Sequence, residues 1–198
     1  MRKPNKTKRE AKYDLILEKA RLVFCRNGYS NVTMKDIIEE CGISRGGIYL
    51  YFNSVDEIFK QVVITRERNK TEEIRKQIQL NVNFVELLDT YLLTQKRRLL
   101  NMSDSLLRAM YEYNFTNTTA EDFELREAQV DGIRNTISDI LSLGVRQGYV
   151  DETRIDIMKD HMMFIIEGLS VYALLGGLTE KNVDTQFNQI KEMAILRK

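Results

Sequence analysis

The chain has 198 residues, 43% of them hydrophobic and 30% charged, with a formal net charge of +1. This apolar content is sufficient for a packed core and argues against global disorder. No apolar run reaches the roughly eighteen residues of a membrane helix. The first residues are basic and polar with no apolar stretch behind them, which argues against a secretory signal. We therefore expect a cytoplasmic protein without a membrane span.

The small net charge conceals an asymmetry. Residues 1–53 carry eleven Lys or Arg and six Asp or Glu, a balance of +5, whereas residues 54–198 carry nineteen and twenty-three, a balance of −4. A basic first part on an acidic remainder predicts that the first part meets a polyanion. Residues 1–12, with six basic side chains, one acidic side chain and no apolar periodicity, are interpreted as a mobile basic arm.

Apolar residues at three- and four-residue spacings predict a first helix over 13–27. Capping residues and the glycines that follow predict three more helices, over 33–41, 44–52 and 55–79. Gly28 and Gly42 are suited to end the first two helices in the left-handed conformation. Ser44 is a good N-cap for the third helix, and Thr33 with Asp36 and Ser54 with Glu57 are capping boxes for the second and fourth. Three short helices joined by turns predict a helix-turn-helix unit over residues 13–53.

The remainder shows no strand pattern, and residues 54–198 are predicted to form a larger helical domain. Its further helices are expected over 84–100, 119–148, 156–175 and 184–196. One more helix is expected to begin after an N-cap at Ser103 and to reach residue 115. The fold class is therefore all-α, with about nine helices in total. The two cysteines, Cys25 and Cys41, match no metal spacing; they are interpreted as reduced thiols, with a redox-sensing pair as the alternative.

The stretch Thr33–Glu57 reads TMKDIIEECGISRGGIYLYFNSVDE. Ile48 and Phe52, four residues apart, are predicted to anchor its second helix from beneath. The outer face then holds Arg45, Gly46, Gly47, Tyr49, Leu50 and Tyr51. Because a glycine costs a helix about 1 kcal/mol relative to alanine, two of them indicate close approach of the backbone to another molecule, here the floor of a DNA major groove.

The segment from about Ile16 to Phe59 resembles the DNA-binding domain of the TetR family. The resemblance covers under a quarter of the chain, but it is dense and ungapped. It is carried by Ala20, Phe24, Gly28-Tyr29, Thr33, Ile37, Gly42, Ser44, Gly46, Ile48-Tyr49, Tyr51-Phe52 and Asp56-Glu57-Ile58-Phe59.

The resemblance implies a transcriptional regulator, by family default a repressor, that binds a palindromic operator as a homodimer and is released by a small-molecule effector. Arg45, Gly46 and Gly47 become candidate base-edge readers, and the candidate phosphate or groove-wall contacts are Thr33, Lys35, Tyr49, Tyr51 and Asn53. Alternatives stay open: Arg45 as a phosphate clamp or solvated charge, the tyrosines as core residues, and the arm as a groove contact or a solvated tail.

Three positions depart from the family pattern. Val55 replaces a frequent lysine at the start of helix four, Asn53 replaces a usual basic residue, and Ile38 replaces a common alanine. One phosphate anchor per subunit is therefore in doubt, and Lys35 or the basic arm is expected to compensate.

The resemblance also implies a dimer interface and an effector pocket in the second domain. The interface is expected on the helix over 157–174 and the last helix, with Phe164, Gly168, Val171, Tyr172, Phe187 and Ile190. An apolar or amphipathic effector is expected against Tyr91, Met102, Met110, Tyr113, Phe123, Arg126, Phe164 and Glu167. Plain core packing is the alternative for both sets.

Two other classes of protein are the alternatives. An enzyme is disfavoured because there is one histidine, both cysteines lie in the DNA-binding part, and no Gly-rich phosphate loop follows a strand. No cofactor or metal is expected. A helical sensor or interaction protein that has lost DNA binding, as Val55 and Asn53 would allow, remains the second alternative.

Overall fold

The computed structural model describes residues 7–196. Over this range the chain forms nine α-helices, two short 3-10 turns and no strand, which confirms the all-α class. The helices are α1 (Lys8–Asn27), α2 (Met34–Cys41), α3 (Arg45–Tyr49), α4 (Val55–Gln79), α5 (Phe84–Leu100), α6 (Leu107–Thr116), α7 (Ala120–Arg146), α8 (Ile155–Leu174) and α9 (Glu180–Ala194).

The described chain divides into two compact units. Unit one comprises the described residues up to Arg66 together with Ser103–Thr116, and unit two comprises Glu67–Met102 and the described residues from Asn117 onward. The sequence placed the boundary at residue 54 and assigned residues 103–116 to the second domain. The compact units are divided differently, because the first three turns of α4 and the whole of α6 pack within unit one.

The first helix begins earlier than predicted. Thr7 caps α1: its hydroxyl oxygen accepts a hydrogen bond from the backbone N–H of Glu10, whose carboxylate accepts one from the N–H of Thr7. This Thr-x-x-Glu capping box stabilises a helix start at Lys8. The prediction of a mobile arm is therefore wrong for residues 8–12, and residues 1–6 lie outside the described residues.

Several other helix ends differ from the prediction. Ser103 lies in the 3-10 turn Met102–Asp104, and Ser105 instead accepts a hydrogen bond from the N–H of Leu107 at the start of α6. Thr179 caps α9 with Asn182, so this helix starts at Glu180 rather than Asp184. The third helix ends at Tyr49, and a turn carries the chain to Phe52.

Unit one is built around packed aromatic rings. Tyr113 of α6 is fully buried, and its ring centroid lies 5.0 Å from that of Tyr29 and 4.9 Å from that of Phe59. Phe24 of α1 meets Phe59 edge-on at 4.9 Å. These rings join α1, the turn after it, α4 and α6, and edge-to-face pairs of this kind add to the stabilisation from burial.

Unit two is a bundle in which α5, α7, α8 and α9 contact one another. Its core holds Phe84, Leu88, Ile137, Ile140, Met158, Met162, Val183, Phe187 and Ile190. Gly144 of α7 allows close packing, since an added Cβ would lie 2.8 Å from the ring of Phe84. None of the helices described here is long and apolar enough to cross a membrane.

Candidate nucleic-acid interface

The short helix α3 is anchored from one side. Ile48 is 0% exposed and Phe52 is 1% exposed, as the sequence predicts for its inner face. The Ser44 hydroxyl caps the helix by accepting a hydrogen bond from the N–H of Gly47 at 3.2 Å. After the last turn, the N–H groups of Tyr51 and Phe52 both donate to the carbonyl of Ile48, at 2.8 and 3.1 Å. The buried side is therefore fixed, and the opposite side faces solvent.

The solvent-facing side of α3 carries Arg45, Gly46, Tyr49 and Leu50, all of them exposed. The guanidinium of Arg45 lies 5.7 Å from the ring centroid of Tyr49, one turn along the helix. Leu50 is 75% exposed, an unusual exposure for a leucine next to a packed core. We call these four residues the reading face.

The two adjacent glycines have different surroundings. A Cβ added to Gly47 would lie 2.7 Å from a methyl group of Ile43 and 3.1 Å from the Ser44 hydroxyl, so packing within unit one requires glycine there. A Cβ added to Gly46 would meet nothing within 4 Å. The fold therefore does not explain Gly46, and this glycine leaves the middle of the reading face without a side chain.

The predicted contact Thr33 serves as the N-cap of α2. Its hydroxyl donates to the Asp36 carboxylate at 2.6 Å, and its backbone N–H donates to the same oxygen at 2.8 Å. The hydrogen bonds from Thr33 lower the pKa of Asp36. Lys35 in the first turn is exposed, and its ammonium forms a solvent-exposed ion pair with Glu39 at 3.7 Å.

At the start of α4, Asn53 already has a partner. Its backbone N–H and side-chain amide both donate to Glu57 Oε2, at 2.7 and 3.3 Å, while the Ser54 hydroxyl accepts from the N–H of Glu57. One half of the predicted Ser54–Glu57 capping box is present, the bond from the Glu57 N–H to the Ser54 hydroxyl. The Glu57 carboxylate accepts from Asn53 rather than from the N–H of Ser54. A carboxylate beside Asn53 disfavours a phosphate contact at this position.

Tyr51 is half-buried against α1. Its ring centroid lies 6.5 Å from that of Tyr13, which also stacks on Phe52 at 5.1 Å. Tyr49 is the more exposed of the two predicted tyrosines and is the one that belongs to the reading face.

Lys12 was assigned by sequence to the arm rather than to the site. In the structure it lies on α1, and its Nζ is 3.6 Å from the position of an added Cβ on Gly47. A cation is thereby placed beside α3. The Thr7–Glu10 capping box is the sequence signal that would have put Lys12 on a helix.

The predicted effector residues divide between the two units. Met110 and Tyr113 belong to unit one, and the other six belong to unit two. Among those six, Phe123 and Arg126 are in contact, with the guanidinium 4.2 Å from the ring centroid. Tyr91 is buried and Met102 is half-buried, whereas Phe164 and Glu167 lie on the exposed side of α8. Within unit two, the six predicted residues therefore include both core and surface positions.

A polar contact that sequence reasoning missed lies inside unit two. The Arg98 guanidinium of α5 donates to the Ser170 hydroxyl of α8 at 2.9 Å, and Ser170 is fully buried. Burial also raises the pKa of Tyr91, one of the predicted residues. Nothing in the local sequence around Ser170 distinguishes it from a surface serine.

The predicted dimer residues fall into two groups. Phe164 is 68% exposed, and Gly168, Val171 and Tyr172 of α8 are also exposed; with Ile157 and Leu175 they form a stripe along one side of the helix. Phe187 and Ile190 of α9 are instead buried in the core of unit two. The α9 surface is polar, with Gln186 and Gln189 exposed.

Both cysteines carry free thiols. Cys25 is buried and Cys41 half-buried, and burial raises the pKa of each thiol. Raised pKa values reduce the thiolate fraction at neutral pH, which disfavours the redox alternative. Among residues 7–196, no cluster of His, Cys, Asp and Glu is suited to hold a metal ion.

A capped helix with a buried inner side and a basic, glycine-containing outer side, preceded by α1 and α2, defines a helix-turn-helix DNA-binding protein. The family model for bacterial regulatory proteins of the tetR family matches residues 16–62. The HTH-type transcriptional regulator YfiR of Bacillus subtilis, itself uncharacterised, is 33% identical over 147 residues, which are 74% of this chain and 70% of that protein. The chain belongs to the TetR family of bacterial regulatory proteins.

Solved structures agree with the fold. A TetR-family regulator from Agrobacterium tumefaciens matches with a TM-score of 0.75 and 18% identity, covering 94% of this chain and 99% of that one. A chain from Saccharomonospora viridis solved in complex with choline also gives 0.75, with 21% identity over 96% of this chain and 100% of that one. The relatives are transcriptional regulators rather than enzymes, so this protein is a DNA-binding regulator of transcription.

The two glycines of α3 are expected to respond oppositely to alanine. Gly47→Ala should lower the free energy of unfolding by about 1–3 kcal/mol, because the new methyl overlaps Ile43. Gly46→Ala should leave stability unchanged or raise it by up to about 1 kcal/mol, because it improves helix propensity in open space. The same Gly46→Ala variant should bind DNA more weakly. Urea unfolding and DNA titration of both variants check this; equal loss of stability in the two would contradict it.

Proposed function

We propose that this protein is a repressor that binds a palindromic operator as a homodimer, with the reading face of α3 from each subunit in the DNA major groove. The observation that carries the proposal is the open surface at Gly46 between the exposed Arg45 and Leu50. Bare backbone at the centre of an exposed helix face lets that helix approach base edges closely.

Positive charge around α3 supports the phosphate contacts. Lys12 on α1 and Lys35 at the start of α2 both lie in unit one. They are proposed to make the phosphate contacts that Val55 and Asn53 do not provide. Lysine side chains that neutralise phosphates release counterions, so each contributes to salt-dependent affinity without selecting a sequence. Thr33, with its hydroxyl bonded to Asp36, is assigned to capping α2 and orienting Lys35.

Arg45 is the proposed base reader. A guanidinium can bond guanine bidentately at O6 and N7, which is worth roughly 1–3 kcal/mol of discrimination. Its position over the Tyr49 ring holds it on the reading face rather than against an acidic side chain. Packing requires Gly47, and Tyr51 is half-buried. We propose that these two residues shape the helix rather than contact bases.

The proposed dimer forms through the exposed stripe of α8. Contiguous apolar side chains on a surface are typical of association sites, and the stripe contains Phe164, Val171 and Tyr172 around Gly168. A two-fold dimer also matches a palindromic site. Phe187 and Ile190 are proposed to support the stripe from within the core, with the polar surface of α9 at its edge.

The effector is proposed to be an apolar or amphipathic small molecule bound in unit two. Support comes from the structural neighbour that binds choline and from the buried polar groups of Tyr91 and Ser170. Met102, Phe123 and Arg126 remain in this proposal, Phe164 and Glu167 are assigned to the α8 surface, and Met110 and Tyr113 to the interior of unit one. Because α4 contributes residues to both units, we propose that effector binding releases DNA through this helix.

Selection of bound duplexes from a random DNA pool with the purified full chain tests the DNA-binding proposal. We expect one palindrome to be enriched, with half-sites about one helical turn apart, and its affinity to fall steeply as salt rises. Recovery of no preferred sequence, or binding that ignores salt, would favour the alternative of a helical sensor protein without DNA recognition.

Two variants separate base reading from charge on the selected duplex. Arg45→Ala should reduce the preference for the palindrome over a scrambled duplex by roughly tenfold or more, since it removes a bond to a base. Lys12→Ala should weaken both duplexes about equally and reduce the salt slope by about one for each phosphate that is no longer neutralised. Glu127→Ala, which removes an exposed charge from α7, is the control and should change neither quantity.

Dimerisation is tested by placing a charge in the α8 stripe. Phe164→Asp should convert the dimer to monomers and abolish binding to the full palindrome, because a carboxylate cannot be buried unpaired at an apolar interface. Sedimentation at several concentrations measures the change. Phe115→Asp, which alters a similarly exposed phenylalanine of α6, is the matched control and should stay dimeric; the same mass for wild type and both variants would contradict the proposal.

A further inference from the structure

Residues 103–116 pack within unit one although they are distant in sequence from its other helices. Asp104 forms an ion pair with Arg21 of α1 at 3.1 Å, and Tyr113 packs its ring on Tyr29. Between these two contacts lies Glu112, whose carboxylate points at the turn that joins α1 to α2. The DNA-binding unit therefore includes a helix outside the helix-turn-helix segment.

The Glu112 carboxylate is held by three donors. Its Oε2 accepts hydrogen bonds from the backbone N–H of Tyr29 at 2.6 Å and of Ser30 at 3.0 Å, and its Oε1 accepts one from Arg108 Nε at 2.7 Å. Burial raises the pKa of Glu112, but the bonds from Ser30, Arg108 and Tyr29 outweigh it and hold the pKa below its ordinary value. The group is therefore ionised at neutral pH, and charge-assisted bonds of this kind are stronger than neutral ones.

Gly28 makes room for this carboxylate. Its φ of +78° lies in the region that favours glycine, and an added Cβ would lie 2.6 Å from Glu112 Oε1 and 2.8 Å from Cδ. Two consecutive backbone N–H groups after a glycine form a concave site for an anion. In this protein the carboxylate of α6 fills that site.

The turn held by Glu112 leads directly into α2. Val32 is buried and its N–H donates to the carbonyl of Tyr29 at 3.2 Å, so a fixed Tyr29 also fixes the approach to Thr33, the N-cap of α2. The position of α2 in turn sets where Lys35 and the turn before α3 stand. Phosphate contacts from such positions fix the register of a protein on its duplex.

We propose that Glu112 is a positioning residue for DNA binding: by bonding the N–H groups of Tyr29 and Ser30 beside Gly28, it holds the start of α2 where the reading face can meet the operator. The inference rests on the proposed function, since it concerns the same DNA contact. It adds a residue of α6, outside the helix-turn-helix, to those on which operator affinity depends.

The sign of the effect separates positioning from charge. Removing an acidic side chain from the unit that meets DNA reduces repulsion of the phosphates and, by charge alone, strengthens binding. Removing a group that positions the DNA-binding helices instead weakens binding. Glu112→Ala is therefore expected to bind the selected palindrome roughly tenfold more weakly, with a smaller preference over a scrambled duplex. Glu112→Gln, whose carbonyl oxygen can still accept both N–H bonds, should retain most of the affinity.

The experiment uses full-length wild type, Glu112→Ala, Glu112→Gln and the charge control Glu127→Ala, each titrated with the selected palindrome and its scrambled duplex. Each affinity is calculated from the concentration of folded protein only. Hydrogen exchange of the Tyr29 and Ser30 amides reports whether their bonds to residue 112 have been lost. If Glu112→Ala does not fold, Glu112→Asp takes its place. The aspartate side chain is one methylene shorter, so its carboxylate lies further from the N–H groups of Tyr29 and Ser30.

Weaker, less selective binding with faster exchange at Tyr29 and Ser30, and rescue by glutamine, is the expected result. The proposal is overturned if the alanine variant melts at a lower temperature while its folded molecules bind with wild-type affinity, since Glu112 would then be structural only. A wild-type chain that prefers no duplex would instead overturn the proposed function, so the two failures are distinguishable.

Discussion

The burial of Ile48 and Phe52 determines what the rest of unit one presents to solvent. A helix of five residues has little stability of its own, and α3 is held by these two side chains and by the Ser44 cap. Since the inner side is fixed, the positions of Arg45, Gly46, Tyr49 and Leu50 follow from helical geometry. The proposed DNA contact therefore depends on core packing directly beneath the reading face.

Local chemistry made this part of the molecule predictable. The capping signals at Thr33 and Ser44 and the glycine at Gly42 lie within a few residues of the elements that they delimit, so their effects can be inferred from short segments. The same reasoning predicted the bounds of α4 and α5 as the structure has them. Thr7 and Glu10 are a signal of the same kind, and the prediction of an arm over residues 8–12 was wrong because it did not take their capping box into account.

Contacts between distant segments were not predictable in this way. The bond from Glu112 to the turn at Tyr29 joins residues 83 positions apart, and the packing of Tyr113 on Phe59 joins two helices of different segments. Tyr113 was one of several aromatic and sulfur-containing residues on the helices that the family resemblance places around an effector pocket, with plain core packing as the alternative. The structure shows this residue in the core of unit one, which is the alternative of plain core packing. The inward side of α9 was misassigned similarly, because Phe187 and Ile190 have the same spacing whether they face a partner or their own core.

The distinction between Gly46 and Gly47 also needed three-dimensional information. Adjacent glycines look equivalent in sequence, yet one is required by Ile43 and the other lies against open space. Only Gly46 is left unexplained by packing, and this is why we propose that the partner molecule lies against the reading face. The basic balance of the first 53 residues, the half-buried Lys12 beside α3 and the exposed Lys35 fit a partner with a phosphate backbone.

The most direct measurement of that contact is protection of guanine N7, which lies in the major groove, from methylation by dimethyl sulphate on the selected palindrome. We expect protected guanines in both half-sites with wild-type protein, and loss of that protection with Arg45→Ala at concentrations that still occupy the duplex. Unchanged methylation of every guanine under a fully bound wild-type protein would show that α3 does not enter the major groove.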